Sequence, residues 1–215
     1  MIAIRSTPLA AVLGVVLSLP APAFASAATV NSSPSAPTEI VLAQLNTDAQ
    51  IYLLRGLLNV FSFGMDELAG KLKQQGFKPQ VINWKFWRSA ADTIANNYHS
   101  GQKAPIILIG HSLGADAVFP LADRLGTIGI PVDYMVTFDV TKPHVLPQNV
   151  RFFVNFYQRN GFGRTVATPA GYQGDMINVD LSDRPGLTHG NMEESARLHE
   201  IVIGKIIQIT ARSPR

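Results

Sequence analysis

The chain has 215 residues, 47% of them hydrophobic and 15% charged, with a formal net charge of +3 and no cysteine. This composition excludes general disorder. The missing cysteine excludes a disulfide framework, thiolate metal sites, a cysteine nucleophile and a cysteine-borne lipid anchor.

Residues 1–27 have the three-part layout of a secretory signal peptide. Arg5 is the only charge near the start, residues 9–19 are almost wholly apolar, and the small residues of "APAFASAAT" follow. Ala-x-Ala sites end at Ala25 and at Ala27. The apolar run falls short of the roughly 20 residues that a spanning helix needs, which argues against an uncleaved anchor. The expectation is a secreted or periplasmic protein with no stable membrane span once the leader is removed. Loss of Arg5 leaves 17 basic against 15 acidic side chains. Lys71, Lys73, Lys78, Lys85 and Arg88 form a loose basic region that reads as a solvated face, and no nucleic-acid motif accompanies it.

Residues 28–48, rich in Ser, Pro, Ala and Thr, read as a flexible linker. From residue 49 to 215 strand and helix patterns alternate. "AQIYLLR" is a buried strand, and "SFGMDELAGKLKQQG" a helix with Gly76 just past its end. "KPQVINW" is a strand and "WRSAADTIANNYHS" a helix. "APIILIG" is the most apolar strand, and "LGADAVFPLADRLG" the helix after it. "IPVDYMVTFD", "NVRFFVNFY" and "DMINVDL" are further strands, and "MEESARLHEIVIGKIIQIT" closes the chain as an amphipathic helix. Strands separated by helices of this length predict an α/β fold: a mostly parallel sheet with helices on both faces. Pro120 lies inside the expected helix and should kink or shorten it.

Between "PIILI" and "ADAVF" stand Gly110, His111, Ser112, Leu113 and Gly114. A Gly-x-Ser-x-Gly match alone carries little, but here a buried strand runs into it and a helix leaves it. That context is a strained elbow, with small neighbours giving the serine room. It places the Ser112 hydroxyl at the carboxyl edge of the sheet, where open α/β folds bind ligands.

A serine hydroxyl needs a histidine to take its proton and a carboxylate to orient that histidine. In this arrangement the chain order is Ser, acid, His. His99 and His111 come too early, His144 follows the acid candidate too closely, and His199 lies within the last helix. His189, in the loop "RPGLTHGNMEES", is the expected base. Asp139 ends the strand "YMVTFD" and points into the same crevice, with Asp175, Asp180 and Asp183 as alternatives; Asp133 is at the wrong end of its strand. The oxyanion requires two backbone N–H donors. Leu113 supplies one at the helix start, and Leu57 the other from the loop after the first strand, where Gly56 lets the backbone approach. Gly56 and His111 are the expected substrate neighbours. Trp84, Phe86 and Trp87 read as core, with a hydrophobic acyl pocket as the second reading.

The elbow "GHSLG", the early "RGLLN", "TFD" and "THG" together resemble the α/β-hydrolase superfamily, among its small lipase- and thioesterase-like members, over about residues 51–209. The resemblance implies hydrolysis of a small-molecule or lipid ester or thioester, with no metal or organic cofactor. Arg55 stands where many members have histidine, and Asp139 follows the first strand after the elbow, where the second is more usual. Only "VTKPHVLPQ" separates two strands where members carry a helical lid, so no large lid is expected. The remaining long loop, residues 158–175, is expected to border the site. An acyltransferase or peptidase on the same scaffold, or an inactive hydrolase-fold binding protein, are the alternatives.

Overall fold

A computed structural model describes residues 45–57 and 63–211. The expected leader and nearly all of the expected linker lie outside the described residues. Leu45 is buried and bridges Ala211, and the Asn46 N–H donates to the Thr210 carbonyl at 2.8 Å. The packed chain therefore includes residue 45, four positions ahead of the boundary drawn from composition. A backbone partner beyond the last helix, invisible in local composition, makes the difference.

The strands are β1 (Gln50–Arg55), β2 (Gln80–Asn83), β3 (Ile106–His111), β4 (Tyr134–Phe138), β5 (His144–Val145), β6 (Phe152–Tyr157), β7 (Val166–Ala167) and β8 (Asp175–Asp180). The α-helices are α1 (Phe63–Gln74), α2 (Trp87–His99), α3 (Leu113–Gly126) and α4 (Ala196–Thr210). A six-stranded sheet runs in the order β2-β1-β3-β4-β6-β8, with every pairing parallel. β5 and β7 form a separate two-stranded parallel ladder that the sequence pattern did not announce.

Side chains alternate across the sheet with a period of two, and each face has its own core. Tyr52, Leu54, Leu108, Met135 and Phe153 meet α2 and α3 on one face. Leu53, Ile107, Ile109, Val136 and Phe156 meet α1 and α4 on the other. With both faces covered, β3 can be apolar throughout, as its sequence is.

Pro120 does not shorten α3, which continues to Gly126. Val118, Phe119, Leu121, Ala122 and Leu125 are buried along it. At roughly 1.5–3 kcal/mol for each large apolar side chain, that burial outweighs the ~3 kcal/mol typical of an interior proline.

The chain moves from β1 outward to β2, then returns across β1 to β3 and continues the other way. Strand order thus reverses between β1 and β3. Their carboxyl ends diverge there into two loops, one starting at Gly56 and the other at Ser112, and the crevice between them is the natural binding place of such a sheet.

Candidate active site

Ser112 occupies the step from β3 to α3 with φ 55° and ψ −121°, a region that side-chain-bearing residues rarely adopt. Such a conformation costs on the order of 1–3 kcal/mol. It persists because the turn is clamped: the Ser112 N–H donates to the Phe138 carbonyl at 3.0 Å, and its carbonyl accepts from the Asp116 N–H at 3.0 Å. The flanking glycines are required by contact. A Cβ on Gly114 would stand 2.0 Å from the Leu54 carbonyl oxygen, and one on Gly110 would stand 2.3 Å from that of Gly114.

His189 Nε2 is 2.9 Å from Ser112 Oγ, and His189 Nδ1 is 2.6 Å from Asp139 Oδ2. Asp139 is fully buried and follows β4 at φ 58°. Its other oxygen, Oδ1, accepts from the Gln158 N–H at 2.9 Å. With Oδ1 held by a backbone donor and Oδ2 facing Nδ1, the carboxylate sets the ring so that Nε2 presents a lone pair to the serine proton. The other acids lie elsewhere. Asp180 takes Ser182 and Arg159, Asp133 takes Arg151 and the Ile106 N–H, and Asp175 begins β8 at its amino end.

Gly56 lies directly over the serine: a Cβ there would come within 3.1 Å of Ser112 Cβ. Leu57 follows, 63% exposed, and Leu113 opens α3, where the first N–H groups of a helix have no partner within it. Two backbone segments therefore meet at Ser112, one from each side of the switch point. His111, expected beside substrate, is buried instead; its Nε2 sits 2.8 Å from the His189 carbonyl oxygen, beneath the loop that carries His189.

Sequence reasoning missed several supporting groups. Asp116, on the first turns of α3, accepts from the Thr141 N–H and hydroxyl, from the Lys142 N–H and from His144 Nε2. It thereby holds the loop that follows Asp139. An acid between Ala115 and Ala117 on an otherwise apolar stretch was the one signal available. Burial by itself would raise the Asp116 pKa, but the bonds from His144, Thr141 and Lys142 outweigh it and hold the carboxyl below its ordinary range. Gly163 is also required by contact, since a Cβ would fall 2.1 Å from Asp139 Oδ1. Next to it Phe162, 64% exposed, lies with its ring 4.9 Å from that of His189.

The loop of residues 158–175 is fastened to the fold and does not swing free. Asn155 donates to the Arg164 carbonyl, Asn178 exchanges bonds with Val166, and β7 pairs with β5. No large lid is present among the described residues. A hollow of about 380 Å³, lined by Gln158, Phe162, Arg184, Leu187 and His189, opens beside the His189 ring. A larger one of about 650 Å³ runs beside α3, lined by Phe119, Pro120, His144 and Leu146; no triad residue lines it. Trp84 and Trp87 pack against the α2–α3 core, whereas Phe86 is 63% exposed.

Among the described residues, no group of His, Asp and Glu is arranged to hold a metal ion, and no helix is long and apolar enough to cross a membrane. Neither a scan of protein-family models nor a search of curated proteins finds a match to this chain.

Proposed function

We propose that this chain is an exported serine hydrolase that cleaves carboxylic ester or thioester bonds through Ser112, His189 and Asp139 and an acyl-enzyme. The observation that carries the reading is the continuous chain from Ser112 Oγ through both nitrogens of His189 to Asp139, at 2.9 and 2.6 Å. These residues are separated by 77 and 50 positions in sequence, so their alignment comes from the fold.

In this reading Ser112 Oγ attacks the substrate carbonyl carbon as His189 Nε2 takes the hydroxyl proton. The carbonyl π bond opens, and the charge on oxygen is met by the N–H groups of Leu113 and Leu57, with the α3 dipole adding to them. Collapse expels the alcohol or thiol, which leaves with the proton from Nε2. Water, deprotonated by the same nitrogen, then releases the acid and restores Ser112. Asp139 keeps its charge throughout and stabilises the imidazolium between steps. The leader at residues 1–27 supports action outside the cytoplasm.

An acyltransferase differs only in the nucleophile that takes the acyl group, and a peptidase only in the bond attacked. With no large lid among the described residues, small soluble esters are favoured over a lipid surface. The deciding experiment is fluorophosphonate labelling of the purified protein, followed by a p-nitrophenyl ester chain-length series. Labelling at Ser112 with saturable ester hydrolysis is expected. An unlabelled Ser112 would sink the reading, and a rate that jumps at the ester's solubility limit would sink the open site.

A further inference from the structure

The turn that carries His189 is gripped by two buried imidazoles. His199 Nε2 lies 2.6 Å from the Glu193 carbonyl oxygen, and His111 Nε2 lies 2.8 Å from the His189 carbonyl oxygen. A carbonyl oxygen only accepts, so both Nε2 atoms carry hydrogen, and each neutral ring turns a lone pair outward at Nδ1. For His199 that lone pair has a donor, Lys71 Nζ at 3.0 Å. For His111 the facing group is the carboxyl of Glu193, with Oε1 at 3.4 Å.

Glu193 is fully buried, and among the described residues neither of its carboxyl oxygens nor His111 Nδ1 completes a hydrogen bond, the 3.4 Å approach between them included. A lone pair facing an ionised carboxylate in a dry pocket is repulsive, and an unpaired buried charge is strongly disfavoured. One proton between Oε1 and Nδ1 removes both problems.

We propose that Glu193 and His111 are a positioning pair for the catalytic histidine: a single shared proton locks the His111 ring, whose Nε2–H holds the His189 carbonyl, and losing that proton loosens His189. This rests on the hydrolase reading of the triad.

The electrostatic surroundings agree with it. Burial pushes the Glu193 carboxyl up to about 7; its own backbone N–H lowers it, Glu194 raises it and His189 lowers it. Burial likewise pushes His111 down to about 4, with the bond to the His189 carbonyl and the charge of Asp139 opposing and that of His189 adding. From α4 and α1, His199, Lys71 and Glu67 face the turn: Lys71 bonds both Glu67 and His199. α1 packs so closely that a Cβ on Gly64 would stand 2.1 Å from the Glu193 carbonyl oxygen. The pair is thus neutral near pH 6, as Glu–COOH against imidazole.

The test is the pH–rate profile of the full chain on a soluble short-chain ester, followed by titration of released acid. Wild type should lose about fivefold in kcat from its plateau as the pair gives up its proton, between roughly pH 6 and 8. Glu193→Gln presents an amide N–H to His111 Nδ1 at every pH. It should keep the plateau within about twofold and lack the falling limb. Glu193→Leu, with nothing to offer Nδ1, should lose about tenfold in kcat at unchanged KM. A falling limb that survives in Glu193→Gln overturns the proposal, and so does a folded Glu193→Gln as slow as Glu193→Leu.

Should either variant not fold, histidine ¹⁵N NMR of wild type decides: His111 must be the neutral Nε2–H tautomer at pH 6. The opposite tautomer, or a charged ring, overturns the pair. If wild type hydrolyses no ester and Ser112 resists fluorophosphonate, the hydrolase reading fails and takes the catalytic consequence with it; the NMR result still stands for or against the shared proton.

Discussion

Asp116 and Glu193 are both buried acids set against a histidine, and each sits beside a loop that delivers one member of the triad. Around Asp116 the backbone of residues 141 and 142, the Thr141 hydroxyl and His144 all point donors at the carboxylate, so it stays ionised and its pKa falls. Around Glu193 no other described residue completes a hydrogen bond to the carboxyl, so burial outweighs its own backbone N–H and the pKa rises to about 7. Donor supply, more than burial, decides which charge state a buried carboxylate can hold. The acid loop is therefore held by a charge, and the histidine loop by a proton.

The pH signs follow and are opposite. Asp116, with its pKa depressed, adds stability that is present above the ordinary carboxylate value of 3.8 and lost as pH falls through the lower folded value. Glu193, with its pKa raised, adds stability that is full below 4.5 and lost as pH rises through about 7. His111, depressed to about 4, is present above 6.5 and lost as pH falls through 4.

The largest expected effect sets the scale for both supports. Ser112→Ala and His189→Ala should each lower kcat by several orders of magnitude, and the double variant should be little slower than either, because the groups act as a unit. Asp139→Asn should cost about 10⁴-fold through loss of the imidazole's orientation. Substantial activity in any of them would leave both supports with nothing to hold.

Next is Asp116→Ala, which strands the Thr141 and Lys142 donors and should destabilise by about 3 kcal/mol, read as a lower urea midpoint at unchanged slope. A neutral result would mean that the acid loop holds itself. Glu193→Gln should do the reverse at alkaline pH. Between roughly pH 5 and 8 its stability relative to wild type should gain about 2–3 kcal/mol, measured by denaturant unfolding at each pH. A difference that does not change with pH would erase the contrast between the two acids. The smallest effect belongs to Phe162→Ala. Its ring lies against His189 but is mostly exposed, so a few-fold rise in KM is expected with stability changed by less than about 0.5 kcal/mol.

Most of the fold was legible in the sequence because its signals are local. The run "IILIG", the period-3.6 pattern of residues 113–126 and the two glycines around Ser112 each act within one element, and the observed β3 and α3 fall where those patterns put them. Pro120 does not end the helix, because its cost is local while the burial that overrides it is not. The two-residue ladder of β5 and β7 was illegible since two residues carry no period, and the packed stretch at Leu45 since its partner, Ala211, is at the far end of the chain.

In the candidate site, the sequence by itself determined the elbow: glycine, serine and glycine where a buried strand meets a helix. It also narrowed the candidate base to one loop. Only the tertiary structure decided which carboxylate faces that base, because Asp139 and His189 meet through the parallel order of β4, β6 and β8, not through spacing. The same is true of the turn at residues 189–193. Nothing in "THGNMEES" marks Glu193 as different from Glu194, yet one is fully buried against His111 and the other is not. Whether a carboxyl keeps its proton depends on the donors that packing brings within about 3 Å, and those are chosen by the fold.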